Sequence, residues 1–287
     1  MLQSSLLADG RRLHLQHGPI DLVIEAFGSD EEVAEAYGQV RDRFSTILSQ
    51  LVEELPKIQQ VVKEPRWVPK GPVAVRMMDA VWPHRGSFVT PMAAVAGSVA
   101  DEMAQALSHG RDLRRAYINN SGDIAIYLAP GEKLRLGIVG ELDKPGIDAT
   151  AEIDHASPIR GVATSGWRGR SWSFGIADAV TVVAVSAAIA DVAATLIANA
   201  VNADHQSIER RPASEMDDQT DLGNRLVTVS VGNLDKTTVD AALDAGHTAA
   251  SGMLRDGLIV AAAILLKGNF RYVGDVPGAT APIKNLK

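Results

Sequence analysis

The chain has 287 residues, 46% of them hydrophobic and 22% charged, an ordinary balance for a globular protein with its own core. A net charge of −7 argues against a general nucleic-acid binder, which would show a basic surplus or a basic stripe. There is no cysteine, so disulfides, thiolate metal sites and cysteine nucleophiles are excluded.

The opening "MLQSSLLADGRRLHLQHGPIDL" has no basic start and no apolar run before a small-residue cleavage site, so no secretory leader is expected. "RRLHLQHGPIDLVIEAFG" divides into two strand-like runs at the turn dipeptide Gly18-Pro19. Ser29 followed by Glu32 has the spacing of a capping box. It opens an amphipathic helix whose apolar stripe is Val33, Ala36, Tyr37, Val40, Phe44, Ile47, Leu48 and Leu51, ending near Pro56. "KEPRWVPKGP" is a proline-broken crossing. "TPMAAVAGSVADEMAQALSHG" predicts a second helix of small residues, with Pro91 in its first turn and Gly110 at its stop.

"RRAYINNSGDIAIYLAPGEKLRLGIVG" predicts a β-hairpin region with apolar runs at 116–118, 124–128 and 134–139 and Pro130-Gly131 turning. "ELDKPGIDATAEIDHASPI" is expected to be a loop or an irregular edge. "TSGWRGRSWSFG" then runs into the β-branched 179–184 and an alanine-rich helix, "AAIADVAATLIANAV". Residues 177–201 are the only membrane suspect. Asp178 and Asp191 lie within them, and a central Asp costs roughly 2.5–3.5 kcal/mol in a lone spanning helix, so a buried strand and helix are expected instead. A long polar connection, "NADHQSIERRPASEMDDQTDLGN", precedes the strand "RLVTVSVG", the helix "TTVDAALDAGHTAASGMLRDG" and further strands in "LIVAAAILLKGNFRYVG". No repeat and no linker divides the chain. The expectation is one α+β domain over 1–287, with mixed, mainly antiparallel sheets, packed helices and a flexible tail at 278–287. The chain is expected to be cytoplasmic, with no membrane or nucleic-acid partner. So much small-residue helix surface also suggests a homodimer.

Asp191 and Thr195, four apart, share one face of a helix that is otherwise Ala, Val, Leu and Ile. A buried carboxylate is costly unless it is paired or coordinates a cation, and two hard oxygens on one face suit Mg²⁺ or Ca²⁺. The alternative is that Asp191 caps a neighbouring loop while Thr195 bonds its own helix. The loop "TSGWRGRSWSFG", which begins with Thr164 and Ser165, has three glycines, three serines, Arg168 and Arg170, a composition that could cradle phosphate or serve as a solvated basic loop. It is neither a Walker A loop nor GxGxxG. Trp167 and Trp172 could stack on a ring or simply pack. Asn119, Asn120, Gly122 and Asp123 can be plain turn chemistry. His14, His17, His84, His109, His155, His205 and His247 have no zinc spacing, and no GxSxG elbow makes Ser165 a nucleophile.

The order "INNSGDIAIY", "LRLGIVG", "GVATSG", "DAVTVVAVSAAIADVAATLIANA" resembles the ApbE-like superfamily, best known for FAD:protein FMN transferases. "HLQHGPIDLVI", "PMAAVAGSVAD" and "TDLGNRLVTVSVG" extend the resemblance to an uncharacterised cytosolic branch over most of the chain. The resemblance implies Asp191, Thr195 and the carbonyl of Ala96 as Mg²⁺ ligands. It implies Asn119, Gly122 and Asp123, with Thr164, Ser165 and Gly166, as the lining of a flavin site. The partners implied are a flavin or other nucleotide, FAD foremost, and an acceptor protein whose Thr or Ser hydroxyl receives FMN. Two features depart from the family pattern. Trp172 stands near the position of the expected histidine after Thr-Ser-Gly, and "VAGSVA" replaces a Lys-Gly. Both leave open a non-catalytic flavin carrier or maturation protein, and an enzyme reusing the cleft for another anion.

Overall fold

The computed structural model describes residues 2–138 and 149–276. The strands β1 (Gln3–Leu6), β2 (Leu13–His17), β3 (Ile20–Phe27), β4 (Arg115–Asn120), β5 (Asp123–Leu128), β8 (Gly161–Ser165), β9 (Ala179–Ala184), β12 (Ala261–Leu266) and β13 (Asn269–Gly274) form one nine-stranded sheet in that order. Every pairing in it is antiparallel. Two hairpins stand apart, β6 (Lys133–Ile138) with β7 (Ala149–Asp154) and β10 (Ile208–Pro212) with β11 (Leu226–Val231).

Alternation decides which face each strand buries. Leu13, Leu15, Leu22, Ile24, Ala116, Ile118, Ala163, Val180, Val182, Ile264 and Leu266 are fully buried. They lie under α1 (Asp30–Ile58), α3 (Val95–Ser108), α4 (Ala187–Ala200) and α6 (Lys236–Arg255). The opposite face carries Ile126, Val162, Val183 and Ala261, covered in part by Ile153 of β7 and by Ile159. The short helices α2 (Pro72–Val81) and α5 (Ala213–Met216) complete the inventory, and α2 packs beside α3 and α4. No described helix is long and apolar enough to cross a membrane.

The two strands around Gly18-Pro19 and the long first helix form where the sequence places them, and Ser29 Oγ accepts the Glu32 amide at 3.3 Å. Only half of the capping box closes, because Glu32 Oε2 instead accepts the Asp112 amide at 2.9 Å. Pro56 does not stop α1, which continues to Ile58. The second predicted helix begins as a 3-10 turn, Pro91–Ala94, before α3 proper. Among the three apolar runs, only β4 and β5 pair, through a turn at Ser121-Gly122 whose φ angles of 56° and 114° give the primed-turn twist hairpins prefer. The run after Pro130-Gly131 becomes β6 and pairs with β7, so the segment expected to be a loop or an irregular edge supplies a paired strand. Residues 139–148, and the tail from 277, lie outside the described residues.

Candidate functional site

Helices α3 and α4 are braced to each other by one carboxylate from each. Asp101 on α3 accepts the amides of Ala187 and Ala188 at 2.9 Å each, where α4 begins. Asp191, one turn into α4, accepts the Gly97 amide through Oδ2 at 3.0 Å and is also held by the Ala96 amide, where α3 begins. Each carboxylate therefore meets unpaired donors at the positive end of the other helix, where negative charge is favoured. The contact needs Gly97: a Cβ there would sit 2.3 Å from the Ala187 carbonyl oxygen. The alanine-rich sequence of α4 lets β8, β9 and α3 all approach it.

The β4–β5 turn closes over the same helix ends. Asn120, buried, donates from Nδ2 to the Ala96 carbonyl at 3.0 Å. Asn119 Oδ1 accepts the Gly122 amide at 2.8 Å, fixing the turn. Asp123 follows. Burial pushes its carboxyl up to about 7, against a lesser downward pull from the Thr164 amide. Burial also raises Asp191 well above the ordinary carboxylate range, and the charge of Asp123 adds to this. Asp101 moves the same way from burial. Two carboxyls that each oppose the other's ionisation create a local demand for positive charge.

Asn119, Gly122, Asp123, Ala96 and Asp191 are thus brought to one place. Thr164 joins it through its amide, while its hydroxyl lies 2.9 Å from that of Thr181. Ser165 is half-buried and Gly166 is buried against the Asp178 carbonyl. Thr195 stands one helical turn beyond Asp191, and its hydroxyl has no hydrogen-bond partner among the described residues. Arg170 Nη1 donates to Ser121 Oγ at 2.7 Å, which puts its guanidinium over the turn. Arg168 turns elsewhere: its Nε donates to Asp178 Oδ1 at 3.1 Å, and its guanidinium lies 5.2 Å from the Trp167 ring centroid. Trp167 Nε1 shares that oxygen at 3.1 Å, and Asp178 Oδ2 accepts the Lys267 amide. Asp178 therefore organises the loop from inside. Trp172 is half-buried.

Sequence reasoning missed Asp101 and Asn120 as site builders. Asp101 sits in an ordinary helical context and Asn120 beside a turn, so neither shows its role before the long-range contacts are known. Among the described residues no group of three or more His, Cys, Asp or Glu is arranged for a metal. A cation site here would draw on Thr195 and main-chain oxygen as well.

A family model described as AbpE bacteria matches residues 4–272. The chain belongs to this family. Its relatives include a UPF0280 protein of Methanothermobacter thermautotrophicus, 42% identical over 48% of this chain and 52% of the relative. Another, from Methanothrix thermoacetophila, is 42% identical over 40% of this chain and 48% of the relative. The chain spans about half the length of these relatives. Among solved structures it aligns with the apo form of the Pseudomonas stutzeri flavinyl transferase ApbE. That alignment has 14% identity and a TM-score of 0.43, covering 98% of this chain and 94% of that one. The apbe protein of Thermotoga maritima aligns at 14% identity and a TM-score of 0.38, covering 86% of this chain and 76% of that one.

Proposed function

We propose that this AbpE-family chain binds a nucleotide diphosphate, FAD foremost, together with Mg²⁺. The observation that carries the reading is the pair of buried, mutually opposed carboxyls Asp191 and Asp123 beside the start of α3. The donor set fits a hard cation: the Asp191 carboxylate, the Thr195 hydroxyl and the Ala96 carbonyl, which keeps a second lone pair beside its bond from Asn120. Those three would hold Mg²⁺, and the ion would supply neutralisation of diphosphate charge.

Around it, Arg170 keeps donors beyond the one given to Ser121 and can face an anionic oxygen. Through Arg170 the loop after Gly166 reaches the Ser121-Gly122 turn. Asp123 with a pKa of about 7 can take up a proton near neutrality, which favours a second reading. In it, a Ser or Thr hydroxyl of an acceptor protein attacks the FMN phosphorus of FAD. The bond to the AMP half breaks, AMP leaves, and Asp123 receives the hydroxyl proton where no histidine follows Thr-Ser-Gly.

The test is an absorbance and fluorescence titration of the purified chain with FAD, with Mg²⁺ and with EDTA. Micromolar binding that needs Mg²⁺ and is lost in Asp191→Ala is expected. Equal binding in EDTA, or no binding at all, overturns the reading. AMP release on adding an acceptor protein separates transfer from simple carriage.

A further inference from the structure

Asp101 and Glu102 are neighbours on α3 and serve different partners. Asp101 caps α4, whereas Glu102 lines a groove of about 710 Å³ bounded by α1, α2 and α3. Arg43 of α1, Lys70 just before α2, Arg76 within it and Gln105 of α3 line the same groove.

Glu102 is only 8% exposed. Its Oε1 accepts Arg43 Nε at 2.7 Å and its Oε2 accepts Arg76 Nε at 3.0 Å, so one carboxylate holds two guanidiniums. Thr46 Oγ1 at 2.7 Å and Gln50 Oε1 at 3.1 Å fix Arg43 further, and Gln105 Oε1 accepts from Arg76 Nη2. Arg43 therefore supplies charge, while Arg76 keeps Nη1, which makes no hydrogen bond to another described residue.

Two guanidiniums on one carboxylate leave a surplus positive charge, and it is partly out of water: the arginine side chains are 19% and 32% exposed. Lys70 adds to the surplus, and its Nζ has no hydrogen-bond partner among the described residues. Nearby carboxylates are already engaged. Asp79, on the groove wall, pairs with Arg66, and the two oxygens of Glu54 accept the Lys70 and Gly71 amides at 2.9 and 2.7 Å. The segment 63–85 has the same bias, with Lys63, Arg66, Lys70, Arg76 and Arg85 against Glu64 and Asp79, in a chain whose net charge is −7. Positive charge held in a groove attracts anions, and a guanidinium fork matches the paired oxygens of phosphate and carboxylate.

We propose that this groove is an anion site, separate from the one at Asp191, that takes a small molecule carrying a phosphate or carboxylate group. The oxyanion meets Arg76 and Lys70, Glu102 keeps the two guanidiniums aligned, and the body of the ligand lies along Val75, Ala106 and His109.

The probes are inorganic phosphate and succinate, titrated calorimetrically in EDTA at constant ionic strength. Saturable millimolar binding of at least one is expected, and the tighter of the two identifies the group the site prefers. Arg76→Gln and Lys70→Gln are each expected to weaken it about fivefold to tenfold. Arg76→Lys should weaken it nearly as much, because an ammonium keeps the charge and loses the fork. Arg85→Gln removes an equal charge outside the groove and should stay within about twofold. Lys70→Gln breaks no side-chain bond to a described residue, so it decides the matter even if Arg76→Gln fails to fold. Absence of saturable binding, or wild-type affinity in Lys70→Gln, overturns the site. An equal loss in Arg85→Gln assigns the binding to diffuse surface charge and overturns it too. No metal or nucleotide enters the titration, so its outcome is independent of the FAD reading.

Discussion

Raising pH should destabilise the cation-free protein, and Mg²⁺ should restore it. Asp123 is held at about 7 in the fold against an ordinary 3.8, so the folded chain keeps a proton that the unfolded chain releases. A carboxyl raised in this way contributes stability that is fully present below its ordinary value and lost as pH climbs through about 7. Between pH 5.5 and 8 the loss amounts to ~2 kcal/mol for Asp123 alone. For a chain of 287 residues that lowers Tm by about 3 °C. Asp191, Asp101 and Asp221, all raised by burial, add in the same direction. His84 opposes them: burial lowers its pKa, so its neutral form contributes stability that is lost as pH falls and present as pH rises. The assay is differential scanning calorimetry in EDTA across this window, with Asp123→Asn as the comparison that removes one group from the sum. Mg²⁺ at about a hundred times its Kd should return ~2.7 kcal/mol at pH 8 and far less at pH 5.5, where protons compete. A wild-type Tm slope identical to that of Asp123→Asn in EDTA would refute the electrostatic account of the carboxylate pair.

Asp101→Ala strips the acceptor from two amides at the start of α4 and should cost ~1–3 kcal/mol in urea unfolding, with Asp101→Asn retaining part of that. Gly97→Ala must push α3 from the Ala187 carbonyl, so a loss of at least ~1–3 kcal/mol should accompany weaker Mg²⁺-dependent Tm shifts. Stability unchanged in Gly97→Ala would mean that the two helices do not touch there. Asp178→Ala removes the acceptor shared by Trp167 Nε1, Arg168 Nε and the Lys267 amide, and limited proteolysis should then cut faster within 166–178. Cleavage no faster than in the wild type would show that the loop has other anchors.

Local rules made much of this molecule legible. The apolar stripe of α1, the turn at Gly18-Pro19 and the shared face of Asp191 and Thr195 all follow from periodicities of two or 3.6 residues. What stayed hidden depends on partners distant in sequence. β6 has an ordinary strand pattern, yet its partner is β7 rather than β5. β10 is rich in charge and is a strand because β11 supplies its hydrogen bonds. α2 follows Pro72 at its first turn, a start signal that the surrounding prolines concealed. At the site, spacing could suggest Asp191 but could not reveal that Gly97 and Ala96 supply its donors from 94 and 95 residues away. Arg168 and Arg170 stand two apart in the same loop and part company in the fold, where Asp178 accepts from one and Ser121 from the other.

The crossed carboxylates of α3 and α4 also bear on how the chain folds. Within the nine-stranded sheet, the pairs β1–β2, β2–β3, β4–β5, β8–β9 and β12–β13 join strands close along the chain, which can pair early at low loop-closure cost. The braces span 86 and 94 residues and can form only once both halves have assembled and met. A chain with a mispaired half would hold Asp101 and Asp191 on separate bodies and lack the cation site proposed above. Affinity for a divalent ion would then report that the two halves had joined, and a nascent chain would acquire it only after α4 had emerged.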